Sequence, residues 1–244
     1  MLQWADLNAL EVKNLVKDYG NTKAVKGISF DIAEGEIFGL IGPNGAGKTT
    51  TLRLVATLLE ITSGSIKVFG IDAAEDPAGV RKIISYLPEE AGAYKNLKGR
   101  QYLEFIANFF GEGKEKEEIL RRGVQIAGLG QRLDDKVERY SKGMLRRLVV
   151  ARALMVEPRL AILDEPTAGL DVLHAQEIRR IIKDFVRSGR AVLLSSHNML
   201  EVEFLCDRVA LINEGLIVER GTPQGLKERY RRPNLEEVFV EVVG

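Results

Sequence analysis

At 244 residues, 45% hydrophobic and 29% charged, the chain is long enough to bury one α/β core or two closely joined lobes. Lysine plus arginine equals aspartate plus glutamate at 35 each, which leaves no global field for holding nucleic acid. Apolar runs stay far below the roughly 18 residues of a membrane span, Asp6 interrupts any apolar leader, and the single Cys206 suits a reducing compartment, so a soluble cytosolic protein is expected.

Leu10-Glu11-Val12 alternates like a strand, and Gly27-Ile28-Ser29-Phe30-Asp31-Ile32 alternates again before a turn at Glu34-Gly35-Glu36. The apolar run Ile37-Phe38-Gly39-Leu40-Ile41 reads as a buried strand. It leads directly into Gly42, Pro43, Asn44, Gly45, Ala46, Gly47, Lys48, Thr49 and Thr50, and Leu52-Arg53-Leu54-Val55 then continues as helix. A strand, a glycine-rich loop and a helix in that order form a phosphate-binding loop. Its glycines let backbone N–H groups turn inward, where side chains would obstruct a phosphate. The helix start adds the positive end of its dipole. Lys48 can reach the β- and γ-phosphates, and the Thr49 hydroxyl can take a position on Mg²⁺. The loop predicts binding of a nucleoside triphosphate.

Gly64-Ser65-Ile66-Lys67-Val68-Phe69-Gly70 reads as a third strand, and these three are expected to form an antiparallel sheet layered against the nucleotide-binding core. Ile83-Ile84-Ser85-Tyr86-Leu87 is the next strand, stopped by Pro88. Over residues 97–156 no strand pattern occurs. Tyr102, Phe105, Ile106 and Phe109, then Ile119, Val124 and Ile126, recur at helical spacing, which predicts an inserted helical lobe. Gly128-Leu129-Gly130 marks a helix end, and the charge run at 114–118 reads as a solvated helix face. Tyr140-Ser141-Lys142-Gly143-Met144 precedes another helix; its hydroxyl and free N–H groups could hold an anion or simply cap the helix.

After Pro158 the β/α alternation resumes. Leu160-Ala161-Ile162-Leu163 and Ala191-Val192-Leu193-Leu194-Ser195 are continuous apolar runs, as expected of parallel strands buried on both faces. The first ends in Asp164 and Glu165. A carboxylate at a strand's C-terminal end beside a phosphate loop can hold Mg²⁺ directly or through water, and the next can orient or deprotonate an attacking water. Residues 209–219 read as a closing hairpin around Glu214-Gly215, and the tail from Pro223 to Gly244 as helix with an apolar end, Val238-Phe239-Val240.

Taken in order, the phosphate loop, Tyr140-Ser141-Lys142-Gly143-Met144, Asp164-Glu165-Pro166-Thr167-Ala168-Gly169-Leu170-Asp171 and Ser195-Ser196-His197 resemble the ATP-binding-cassette (ABC) ATPases over residues 10–219. The resemblance implies an α/β phosphate-loop NTPase core with a mixed, mainly parallel sheet, an N-terminal antiparallel β-subdomain and an inserted α-helical subdomain. The core and β-subdomain would occupy residues 1–96 and 157–244, and the helical subdomain 97–156. It further implies ATP and Mg²⁺ as ligands, Tyr19 stacking on adenine, residues 42–50 on the phosphates, and Thr49 and Asp164 on the metal. Glu165 matches the catalytic base, with His197 and Lys48 acting on the γ-phosphate. Ser141, Gly143 and Asp171 would contact the nucleotide of a neighbouring subunit. His174, expected on an exposed helix, receives no role.

Two residues depart from the family pattern. Glu89 stands where the family has glutamine, and a carboxylate there either ligates Mg²⁺ or turns away from the added negative charge. Lys142 occupies a usual glycine position and either adds a cation or faces solvent. Both, with Leu235-Glu236-Glu237-Val238-Phe239, resemble the branch serving ABC-2-type and drug exporters. The implied protein is the ATP-hydrolysing subunit of a membrane exporter at the cytoplasmic face. It would pair head-to-tail with a second ABC ATPase subunit, identical or not, and dock a separate transmembrane permease through the helical lobe and residues 89–97. A soluble ABC ATPase of a non-transport assembly is the alternative, disfavoured by the single cassette and neutral charge. A phosphate-loop GTPase or kinase is disfavoured because no Asn/Thr-Lys-x-Asp guanine-reading motif occurs.

Overall fold

The computed structural model describes residues 8–243; residues 1–7, with the Asp6 that bears on a leader, and Gly244 at the end of the expected tail helix lie outside them. Alternating patterns at the N-terminal end form β1 (Leu10–Asp18), β2 (Lys23–Ile32), β4 (Ser63–Val68) and β5 (Ile71–Asp72), an antiparallel sheet in the order β2-β1-β4-β5. The second sheet has six strands in the order β10-β9-β3-β8-β7-β6. These are β10 (Leu216–Gly221), β9 (Arg208–Asn213), β3 (Ile37–Ile41), β8 (Ala191–Ser196), β7 (Leu160–Asp164) and β6 (Ile84–Leu87). All neighbours in it run parallel except β10, which closes the edge as a hairpin with β9. β3, β7 and β8 are buried at every residue, as their unbroken apolar runs require.

The period-2 pleat sends β7 side chains to two different cores. Leu160 and Ile162 meet α1 (Lys48–Val55) and the antiparallel sheet. Ala161 and Leu163 face α5 (Lys142–Leu154) and α6 (Val172–Val186). Phe30 stacks on Phe38 at 5.2 Å and ties the two sheets together. α2 (Pro77–Ile83) leads into β6. Between β6 and β7 the chain is helical: α3 (Gly99–Ala107), α4 (Gly113–Ala127), two 3-10 turns and α5. These helices share a third core around Tyr102, Leu103, Ile119, Leu148 and Met155.

The expected tail helix is two helices, α8 (Pro223–Tyr230) and α9 (Leu235–Val243). Thr222 caps α8, Arg231 adopts a left-handed φ of 53° at its end, and Pro233 cannot extend it. α9 begins where the Leu235 N–H donates to Glu203 at the end of α7 (Met199–Glu203). The apolar spacing of α3 is also more than core. Phe105, 38% exposed, makes edge-to-face contacts with Tyr94 and with Phe109, which lies in the turn just past α3 and is 70% exposed. Among the described residues no helix is long and apolar enough to cross a membrane.

Candidate functional site

Four neighbouring strands, β3, β8, β7 and β6, run parallel and deliver their C-terminal ends to one edge of the sheet. The loop 42–47 leaves β3 there. Gly45 and Gly47 hold φ of 81° and 103°, and a Cβ on Gly47 would crowd the Ala24 carbonyl. Gly47 is also the cap of α1 and has no side chain to occupy the helix's first N–H groups, which leaves them free for an anion. The loop is anchored from behind, where the Gly42 N–H donates to the Ser196 carbonyl at the end of β8.

Across this loop the charged groups converge. Lys48 donates through Nζ to the carbonyls of Gly42 at 2.8 Å and Pro43 at 3.1 Å. Its ammonium lies 3.6 Å from Glu165 Oε1, and each side chain is only 6% exposed. The His197 Nδ1 is 2.9 Å from the other oxygen, Glu165 Oε2. Glu165 Oε1 is buried without a hydrogen-bond partner and faces only the Lys48 ammonium as an ion pair. Its backbone is left-handed, with φ of 49°, an uncommon conformation for a glutamate and a concentrated local strain at the strand end.

Asp164 is fixed one residue earlier. Its Oδ1 accepts from Thr49 Oγ1 at 3.2 Å and from Ser195 Oγ at 2.5 Å, and its Oδ2 accepts from the Tyr86 hydroxyl at 3.4 Å. Ser195 Oγ in turn accepts from the Glu165 N–H at 3.0 Å. Burial is the leading reason that the Tyr86 hydroxyl holds its proton above its ordinary range. The Thr49 hydroxyl and Asp164 carboxylate thus meet at one corner, and hard oxygen donors so arranged suit Mg²⁺. The described residues contain no group of three or more His, Cys, Asp and Glu side chains able to hold a metal alone, so such a corner needs phosphate oxygens or water to complete it. Glu89 follows β6 in the position that Glu165 holds after β7, since Leu87 is paired with Leu163. Its side chain is exposed, however, and only its carbonyl is tied down.

That tie comes from Arg146, to which the sequence reading gave no role. Arg146 is buried on α5 and its guanidinium donates to three carbonyls, of Pro166 at 2.7 Å, Glu89 at 2.9 Å and Glu165. Burial lowers its pKa, against the pull of the Glu89, Asp164 and Glu165 charges. One side chain of the helical region therefore grips the turns after β6 and β7 together. No local signal in the sequence separates it from its neighbour Arg147, since both follow the Ser141 segment on the same helix. Arg147 donates to the carbonyls of Ala127 and Gly128 and pairs with Glu177.

The remaining candidates gather elsewhere. Ser141 caps α5 by accepting from the Met144 N–H at 3.2 Å, and stays exposed. Gly143 lies against the ring of His174, and Asp171 caps α6 while its Oδ2 sits 2.6 Å from His174 Nδ1. These hydrogen bonds hold the Asp171 carboxyl below its usual range. His174 is accordingly a half-buried bridge between α5 and α6 and not a solvent-facing bystander. Tyr19 is exposed in the β1–β2 turn, with the Lys17 ammonium 5.1 Å from its ring centre. A cavity of about 180 Å³ runs from Glu165 and His197 to Gly169 and Arg179. A roomier one of about 560 Å³ lies between α4, α5 and α6, away from the phosphate loop, and its Arg122, Arg147 and Arg190 are already paired with Glu157 or Glu177.

Residues 25–168 match the ABC transporter family. The linearmycin resistance ATP-binding protein of Bacillus subtilis is 39% identical over 222 residues, covering 90% of this chain and 71% of that protein. The daunorubicin/doxorubicin resistance ATP-binding protein of Streptomyces peucetius is 38% identical over 223 residues, covering 90% and 67%. Among solved structures, an ATP-binding subunit of an ABC transporter superposes with a TM-score of 0.85 at 30% identity, covering 97% of this chain and 100% of its own.

Proposed function

The chain belongs to the ABC transporter family, as an ATPase subunit that binds and hydrolyses ATP, and from that premise we propose that it powers a membrane exporter as a head-to-tail dimer. The observation that carries the reading is the opposition of Lys48 and Glu165 over the phosphate loop, with the Asp164–Thr49 corner beside them. ATP enters with its phosphates on the loop 42–50, whose free N–H groups face them, and its adenine on Tyr19. Lys48 exchanges its loop carbonyls and Glu165 for the β- and γ-phosphate oxygens, which it meets in a nearly water-free setting where its charge counts most. Thr49 and Asp164, with Glu89 at the same edge, would hold Mg²⁺, which neutralises phosphate charge when bound.

Released from Lys48, Glu165 accepts a proton from the attacking water through Oε1, the atom that lacks a partner. His197, at hydrogen-bond distance from Oε2, keeps the carboxylate oriented and reaches toward the γ-phosphate. Lys48, Glu165 and His197 are thus the catalytic set. Residues 1–96 and 157–244 supply it, and the 97–156 subdomain supplies Arg146 and the segment 141–143.

Ser141, Gly143 and Asp171 belong to a face organised around His174, and this supports their service to the nucleotide of a second subunit. ATP between two such faces then closes the dimer and hydrolysis opens it, a change that a permease can follow. The exposed aromatic row of Tyr94, Phe105 and Phe109 supports permease docking on the helical region, beside residues 89–97. Resistance proteins among the relatives support export as the direction. The cytoplasmic face, where ATP is available, is the side this requires. Purification of the chain from detergent extracts tests the reading. A co-purifying membrane permease with ATP-dependent turnover is expected, whereas capture in a soluble non-transport assembly would contradict it.

A further inference from the structure

Lys142, which the sequence leaves between two alternatives, and His174, to which it gives no role, occupy reciprocal seats. Gly143 at the start of α5 lies directly under the His174 ring of α6, and a Cβ there would overlap ring atoms Cδ2, Cγ and Nε2. Gly169, in the loop ahead of α6, has φ of 65°, and a Cβ there would overlap the Lys142 ammonium. Each segment therefore offers a bare backbone position on which the other rests a side chain. The ring is held from its far side, because Asp171 takes Nδ1 with one carboxylate oxygen and the His174 N–H with the other.

α5 belongs to the helical region and α6 to the core, so motion of one against the other would separate residues 141–143 from residues 167–171. An exposed ion contact alone would resist this weakly. The His174 ring resists it by steric fit, since Asp171 holds it over the Gly143 backbone, and the exposed Lys142 side chain adds a second, flexible contact over Gly169.

We propose that Lys142 and His174 are positioning residues that lock segments 141–143 and 167–171 into one unit, presented as a whole to the neighbouring subunit's nucleotide. The proposal rests on the head-to-tail reading and adds to it the device that keeps both segments of the presented face in register. Neither residue touches the nucleotide in this account; each acts through the glycine it covers. A displacement near 1 Å at a reacting centre can cost on the order of 10²-fold in rate, so the register matters.

The test uses the full chain with Mg·ATP. His174→Ala should slow dimer turnover on the order of 10-fold, while ATP binding to the monomer and the melting temperature stay at wild-type values. Mixing distinguishes this from general damage. His174→Ala combined with Lys48→Ala should regain activity, because one site keeps an intact phosphate loop facing an intact segment. His174→Ala combined with Ser141→Arg should not, because both variants are defective on the presented face. A Ser141→Arg and Lys48→Ala mixture serves as the control. If the control recovers but His174→Ala with Lys48→Ala does not, the lock is wrong and the shared site stands. If the control fails too, the head-to-tail reading falls and the presentation role with it. The seat itself is read by Gly143→Ala, whose methyl displaces the ring. Adding His174→Ala to it should cost less than the product of the two single losses. A purely multiplicative loss in the double variant would overturn the seat whatever the mixtures show.

Discussion

The strand-edge face carries most of the functional candidates and the α5–α6 face the rest, and the two are built on opposite principles. Around the phosphate loop, Lys48, Asp164 and Glu165 are buried and aimed by backbone: parallel strand ends, glycines at positive φ and a helix start. On the other face Ser141, Lys142 and Asp171 are exposed, and the His174 and Lys142 side chains lie over glycines of the facing segments. The chemistry resides at the buried face. Charges fixed in a dry setting act on a developing transition state without further reorganisation. Exposed groups act in high dielectric and gain strength only once another surface covers them. On the proposed reading the first face binds alone and the second works only against a partner.

Among substitutions that add no bulk, those at the buried face should therefore be the most severe, with Glu165→Gln first. The amide keeps the shape and loses the base, so turnover should fall on the order of 10²–10⁴-fold with ATP still bound. An ATP-bound dimer should accumulate on size exclusion, and wild-type turnover would put the base elsewhere. Lys48→Ala removes the ammonium that now holds two carbonyls and faces Glu165. At roughly 1.5–3 kcal/mol per charged hydrogen bond, Mg·ATP affinity should drop by about 10²-fold or more; calorimetric titration reads it, and near-normal affinity would remove Lys48 from the phosphates.

Arg146 joins the two faces, which makes it the sharpest probe of the comparison. Arg146→Leu strands the carbonyls of Glu89, Glu165 and Pro166. The expected loss is roughly 3 kcal/mol, or about 6–12 °C in melting temperature. Arg146→Lys should recover only part of it, because one ammonium cannot span three divergent acceptors. An unchanged melting temperature in Arg146→Leu would show that the grip is dispensable.

The smallest effect belongs to Glu89. If its exposed carboxylate turns onto the metal with ATP present, Glu89→Gln should shift the Mg²⁺ midpoint by at most about fivefold and Glu89→Ala somewhat further. Superimposable Mg²⁺ titrations for the three proteins would leave it outside the metal shell.

Legibility in the sequence follows the same division. The two sheets, the strand order's buried centre and the loop between β3 and α1 were readable because apolar runs and glycine spacing encode backbone directly. Asp164 and Glu165 were readable because a strand's last residues point where the strand points. Arg146, Ser195 and His174 acquire meaning only when α5, β8 and α6 approach β7 and each other, and nothing local in the chain records those approaches. The break between α8 and α9 was signalled by Pro233 but hidden by the continuous helical composition around it. Phe105 and Phe109 had helical spacing, and spacing alone could not say that their side of α3 stays uncovered.

The central claim, that two subunits complete one another's sites, is tested most directly by mixing two inactive proteins. Ser141→Arg should abolish turnover by obstructing a neighbour's γ-phosphate while its own monomer binds ATP normally, and Lys48→Ala should bind too weakly to support turnover. Each mixed dimer contains one doubly defective site and one site with an intact phosphate loop facing an intact Ser141. Turnover should reappear on mixing, rising with the fraction of mixed dimer. Mixtures that remain silent at every ratio, together with a Ser141→Arg monomer that cannot bind ATP, would assign Ser141 to its own subunit's pocket and contradict the account.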